Sequence, residues 1–306
     1  MLSHTLTWQP TAPLEPLDLP WLRLAGVEVA VLRLDLIDPL ISGNKWFKLT
    51  GHLRLAIEAG GQGVISLGGA HSNHLHALAA AGQRFGFATV GLLRGHEQQT
   101  PTTRDLQALG MELHWLGYGG YRARHQPDFW TPWRTRYPHL HCVPEGGGGL
   151  AGALGCGAIP DMVRCQLSDI GWDRHDGWWL AAGTGTTLAG LVLAEQGAHP
   201  VHGALAVPDD HGVAQNVAAI FGQVGREASA FRLHPASRSG FARTDADLLE
   251  FTARAETDSG LPLEPIYTGK ALLALHDQVV AGQIAKGTRL IFIHTGGLQG
   301  RRAMGL

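Results

Sequence analysis

A chain of 306 residues, 44% hydrophobic and 16% charged, has apolar content for a large core and a length suited to two domains. Its formal charge of −2 leaves no basic excess to neutralise a phosphate backbone, which argues against a nucleic-acid partner. No apolar run approaches the roughly 18 residues of a membrane span, no basic-then-apolar leader is read before Pro20, and Cys142, Cys156 and Cys165 are too few and too irregular for a disulfide framework or a four-ligand zinc site. The expectation is a cytoplasmic protein.

In chain order the pattern is strand, loop, helix, repeated. Residues 28–37 alternate and are rich in Val and Leu, which predicts a strand or hairpin. Residues 46–59 place Trp46, Leu49, Leu53, Ala56 and Ile57 at helical spacing. Residues 63–67 form a short apolar run ending at Gly68-Gly69, and a helix of small residues follows over 73–84. Residues 88–93 read as the next strand, and Thr100-Pro101 as an N-cap with proline at the first helical position. The Pro- and Gly-rich stretch 144–149 is the candidate hinge or domain junction. Residues 178–182 run into Gly183-Thr184-Gly185, with a helix over 186–195 and another apolar run over 201–207. Thr244 with Asp247 resembles a capping box ahead of Leu248, Leu249 and Phe251. The last strand, 290–293, ends at Thr295-Gly296-Gly297. This alternation predicts an α/β protein with a mainly parallel sheet.

In open α/β sheets ligands lie beyond the carboxyl ends of strands. Three unusual loops fall there: residues 68–74, residues 183–187 and residues 294–297. In the middle loop, glycines permit close approach of the backbone, the following helix start suits a phosphate, and Thr184, Thr186 and Thr187 add hydroxyls. A plain turn with a threonine cap explains the same residues, and the loop is neither a Walker A loop nor a complete dinucleotide fingerprint. His71, His74 and His76 lack the spacing and the neighbouring carboxylate of a metal site, so no metal is expected; Ser72 or Asn73 can instead cap the helix. The chain has four lysines: Lys45, Lys48, Lys270 and Lys286. Lys45 stands at a helix start, where a positive charge is unfavourable, beside Trp46 and Phe47, whose apolar bulk would lower its pKa and favour the nucleophilic amine. Lys48 and Lys286 read as solvated, and Lys270 as structural, with Thr268 able to cap its helix.

Taken together, Ser-Gly-Asn-Lys-x-x-Lys-Leu (from Ser42), Gly-Gly-x-x-Ser-Asn-His (from Gly68), Gly-Thr-Gly-Thr-Thr-x-Ala-Gly (from Gly183), Tyr-Thr-Gly-Lys-Ala (from Tyr267) and His-Thr-Gly-Gly (from His294) resemble the 1-aminocyclopropane-1-carboxylate deaminase / D-cysteine desulfhydrase family of pyridoxal-phosphate enzymes. The resemblance spans about residues 35–300. It implies fold type II: two open, mainly parallel twisted sheets flanked by helices. The larger domain would comprise 1–48 and 148–306 and the smaller 49–147, with the active site in the cleft between them. It further implies that Lys45 carries pyridoxal phosphate as a Schiff base and then moves protons. Asn73 would bond the ring hydroxyl, Gly183, Thr184, Gly185, Thr186 and Thr187 would cradle the phosphate, and Thr295 would sit by the ring nitrogen. Ser72, His74 and Tyr267 would meet the substrate, with Ser72 and Tyr267 also counted as catalytic. A homodimer is implied as well.

The chain departs from the family's pattern at His71, where Gln is common, and at Phe292, in the region where cyclopropane-opening members carry a second tyrosine. Phenylalanine offers no phenol for proton transfer. The expectation is therefore deamination of a small amino acid by β-elimination, D-cysteine or a similar compound first. Opening of 1-aminocyclopropane-1-carboxylate, racemisation, or a binding protein that has lost catalysis remain the alternatives.

Overall fold

A computed structural model describes residues 2–305 other than 228, 239 and 241. Among the described residues, ten strands form two sheets. β1 (Leu14–Leu17), β2 (Glu28–Arg33), β7 (Gly177–Ala182), β8 (Val201–Leu205), β9 (Phe231–Pro235) and β10 (Arg289–His294) build a six-stranded sheet in the order β1-β2-β10-β7-β8-β9. β3 (Gly63–Gly68), β4 (Ala88–Leu93), β5 (Glu112–Trp115) and β6 (Leu140–Val143) build a four-stranded sheet in the order β5-β4-β3-β6. Every pairing is parallel except β1 with β2. The α/β expectation therefore holds, and residues 28–37 resolve into a strand followed by the short turn Leu34–Leu36.

The central strands read as nearly unbroken apolar runs because both faces are covered. Along β10, Ile291 and Ile293 enter one apolar layer, while Leu290 and Phe292 enter the other with Trp179 and Leu272. Phe292 is completely buried in that second layer, which also packs against Tyr267.

The helix Asn44–Glu58 is the organising element. Its Trp46 ring lies 4.6 Å from Trp8 and 5.6 Å from Phe85, at the end of the helix Asn73–Phe85. Its other flank meets the helix Gly149–Gly155, which in turn meets the helix Thr186–Glu195. Glycine makes both contacts backbone-close: a Cβ on Gly51 would stand 1.8 Å from the Ala151 carbonyl oxygen, one on Gly155 2.0 Å from that of Phe47, and one on Gly190 2.3 Å from that of Ala153.

Two helix starts differ from expectation. Asp245, not Thr244, caps the helix Ala246–Ser259, accepting from the Leu248 amide at 3.0 Å. Asp is the better cap and adds charge at the positive end of the helix. Thr268 is the first residue of the helix Thr268–Val280 and not its cap; Glu264 accepts the Tyr267 and Thr268 amides in its place.

Gly51→Ala is expected to cost about 3 kcal/mol, the upper end of ordinary overpacking, read as a lowered urea midpoint. Gly119→Ala, where an added Cβ meets nothing within 4 Å, is the control and leaves the midpoint unchanged or slightly raised.

Candidate active site

Three strand ends and one helix start converge. Gly43, at φ 78°, caps the Asn44–Glu58 helix in a conformation that glycine tolerates, and no side chain fits there: a Cβ would lie 2.1 Å from the Thr295 carbonyl oxygen. The Asn44 amide donates to that oxygen at 3.2 Å, fixing the turn after β10 against the start of the helix. Asn44 Nδ2 donates to Thr187 Oγ1 at 2.9 Å, and Lys45 Nζ donates to Asn44 Oδ1 at 3.0 Å. A short polar chain thus joins the Lys45 amine to the loop after β7.

Burial, and then the positive charge of Lys48, bring Lys45 down to about 7. The sequence had placed Lys48 in solvent. It is 3% exposed, and its Nζ donates to Gly146 O and Thr184 Oγ1, each at 3.3 Å. Three residues separate it from Lys45 on the helix, so both side chains leave the same face. Burial brings Lys48 to about 8. Lys270 is structural as expected, donating to the carbonyls of Ser237 at 3.0 Å and Gly240 at 2.8 Å, and Lys286 is exposed.

The loop after β7 ends at Gly185, φ 76°, which caps the Thr186–Glu195 helix without a side-chain bond. The first amides of that helix have no acceptor within it. Thr186 and Thr187 are buried, and Thr184 Oγ1 lies 3.0 Å from Thr186 Oγ1. Unbonded amides, hydroxyls and the Lys48 ammonium together form an anion cradle. Tyr267 closes over it: a Cβ on Gly183 would lie 3.1 Å from Tyr267 Cε1. Burial pushes the Tyr267 phenol well above its ordinary range.

After β3, Ser72 caps the Asn73–Phe85 helix by accepting the Leu75 amide at 3.2 Å. Asn73 accepts from Gln299 Nε2 at 2.9 Å. The three nearby histidines diverge. His71 is exposed, while His76 Nε2 lies 3.3 Å from Asp105. His74 is 1% exposed, and its Nε2 meets Ser66 Oγ at 2.8 Å. Ser66 gives its proton to Val143 O at 2.9 Å, so the His74 nitrogen donates. Among the described residues no group of three or more His, Cys, Asp or Glu side chains converges.

Two supports were not foreseen. Glu264 is 3% exposed and accepts the amides of Ile266, Tyr267 and Thr268 at 2.7–2.8 Å, while burial raises it to about 7. Asp35 is held by Arg33 at 2.7 and 2.9 Å and by His294 Nδ1 at 3.0 Å. Burial acts to raise Asp35, but the bonds from His294 and Arg33 outweigh it and hold the carboxyl at about 2. This group anchors His294 beside Thr295. An acid directly before Pro-x-Tyr and an Arg-x-Asp at a strand end were the available signals.

A family model described as "Pyridoxal-phosphate dependent enzyme" matches residues 7–296. A protein of Pyrococcus horikoshii, provisionally named a 1-aminocyclopropane-1-carboxylate deaminase, is 27% identical over 293 residues, covering 91% of this chain and 87% of its own. The Arabidopsis thaliana mitochondrial protein named bifunctional D-cysteine desulfhydrase/1-aminocyclopropane-1-carboxylate deaminase is 26% identical, covering 97% of this chain and 79% of its own. A crystal structure of an ACC deaminase homologue superposes with a TM-score of 0.79 at 24% identity, over 98% of this chain and 95% of that one, and shares the fold.

In protein freed of small molecules, labelling of Lys45 by an amine-reactive reagent is expected to follow a midpoint of about 7, being fast above it because the neutral amine is the reactive form. Lys48→Met should move that midpoint upward by removing the neighbouring charge. Peptide mass analysis across pH reads both, and a Lys45 midpoint near that of an ordinary lysine would refute the assignment.

Proposed function

The chain belongs to the family of pyridoxal-phosphate dependent enzymes, and we propose that it is a lyase acting on a small amino acid with a leaving group on Cβ, D-cysteine first. The observation that carries this reading is the meeting, within one turn of helix, of a deprotonatable, half-buried lysine and a second lysine that faces an anion cradle.

The residues present suit the cofactor. Lys45 offers an amine to its aldehyde. The Thr186–Glu195 helix start, with Gly183, Thr184, Gly185, Thr186 and Thr187, offers amides and hydroxyls to its phosphate, and Lys48 adds the counter-charge. Asn73 would donate to the ring hydroxyl, and Thr295 would present a neutral hydroxyl to the ring nitrogen. When bound, the cofactor supplies the electron sink for a carbanion at Cα.

The remaining steps fall to the chain. Burial disfavours the charged form of the Lys45 amine, which suits it to take the Cα proton as general base. The helix start at Ser72 suits the substrate carboxylate. Since Ser72 Oγ accepts the Leu75 amide, its own proton remains to be donated. Tyr267, held protonated by burial, acts as a hydrogen-bond donor over Gly183 rather than as a base. His74 faces Ser66 and supports the floor of this site. Loss of a thiol from Cβ, with one water consumed, gives hydrogen sulfide, a 2-oxo acid and ammonia.

Ring opening of 1-aminocyclopropane-1-carboxylate is the second reading, favoured by the name that the Pyrococcus relative bears and shares with the Arabidopsis one. The wholly buried, phenol-free Phe292 weighs against it. Scarce cysteine suits a reducing cytoplasm, and two copies per assembly is the expectation carried over from the resemblance. The cleft between the two sheets is the proposed site of reaction.

Addition of D-cysteine to the yellow holoenzyme is expected to shift its visible band and release sulfide. Lys45→Ala should lose the band and about 10³-fold in turnover, within the range for a general base. Turnover retained in Lys45→Ala sinks the lyase reading, and ammonia released from 1-aminocyclopropane-1-carboxylate in preference to D-cysteine decides for the second.

A further inference from the structure

Beyond Thr295 the chain does not leave the site. Gly297, at φ 93°, turns it into the short helix Leu298–Met304. Three side chains of this helix are tied down. Arg301 holds Glu256 through both guanidinium nitrogens, at 2.6 and 3.3 Å. Arg302 pairs with Asp105, which also faces His76 on the Asn73–Phe85 helix. Gln299 Nε2 donates to Asn73 Oδ1 at 2.9 Å.

The last bond has a chemical consequence. A carboxamide has an oxygen that only accepts and a nitrogen that only donates. With Oδ1 turned to Gln299, Asn73 presents Nδ2 on its other side. The approach of Gly297 limits the room on that side, since a Cβ there would stand 2.9 Å from Nδ2. Without Gln299 the amide could turn and present oxygen instead.

We propose that Gln299 is a positioning residue: it fixes the orientation of the Asn73 carboxamide and so makes Nδ2 the group offered to the cofactor's ring oxygen. The proposal rests on the reading of Asn73 given above. Gln299 touches neither cofactor nor substrate. A donor on the ring oxygen stabilises its anionic form, and a carboxamide turned the other way repels it.

The test is the pH midpoint of the holoenzyme's visible band, together with cofactor affinity from reconstitution. Gln299→Glu keeps the shape but replaces the donor by an acceptor, which pulls Nδ2 toward itself. It is expected to raise the midpoint by about one unit and to weaken cofactor binding about tenfold. Gln299→Met, which merely frees the amide, should do less. Asn73→Ala should raise the midpoint by itself, and adding Gln299→Glu to it should change nothing further. Arg302→Ala loosens the same short helix and should leave the midpoint in place, with melting temperatures confirming that each variant is folded. A midpoint that moves in Asn73→Ala but not in Gln299→Glu overturns the role of Gln299 alone. A midpoint unmoved by Asn73→Ala removes the reading of Asn73 and the proposal with it. An equal shift in Arg302→Ala assigns the effect to rigidity of the turn and also overturns the proposal.

Discussion

Two lysines three positions apart, Lys45 half-buried and Lys48 buried, are costly to keep charged where water screens poorly, and the rest of the site is a response to that. Burial depresses both, Lys45 to about 7 with help from the charge of Lys48, and Lys48 to about 8. The nearby carboxylate, Glu264, is itself pushed up by burial and spends its oxygens on backbone amides. What balances the pair is a small, highly charged anion at the helix start, and the phosphate of the family's cofactor is such an anion. The same burial that makes Lys45 a good base leaves Lys48 in need of an anionic partner.

Such an arrangement survives only if the backbone around it is rigid. The Asn44–Glu58, Gly149–Gly155 and Thr186–Glu195 helices meet through glycines with carbonyl oxygens almost in contact with the opposing Cα. The first and third of these helices hold the two lysines and the cradle, so spacing between amine and anion site is set by backbone packing, not by flexible side chains. The His294–Asp35–Arg33 group does the same for the turn after β10, with the carboxyl held ionised by its partners.

Much of this was legible in the residues. Lys45 stood out because few lysines compete with it, and the glycine loops stood out because strands precede them. Lys48 was misread because a lysine on an amphipathic helix is ordinarily solvated; its burial depends on residue 146, nearly a hundred positions away, whose carbonyl accepts from it. β1, β5, β6 and β9 escaped notice because each has only four or five residues with polar ones among them, and β1 and β9 each contain a proline. Thr244 and Asp245 are both good caps, and only the path of the chain chooses between them. Gln299 carries no local signal, since its meaning lies in a partner that tertiary structure brings.

The order of strands has a consequence for the birth of the molecule. The four-stranded sheet is built entirely from residues 63–143, a continuous stretch that can assemble as soon as it has left the ribosome. In the six-stranded sheet, β10 sits between β2 and β7, so the strand made last is the one that joins the first part of the chain to its second half. Until residues 289–294 emerge, β2 and β7 have no common neighbour, and the turn that braces the Lys45 helix does not exist. A nascent chain therefore cannot assemble a complete reactive amine site during translation, and a chain truncated before β10 would carry Lys45 without the surroundings that make it a base.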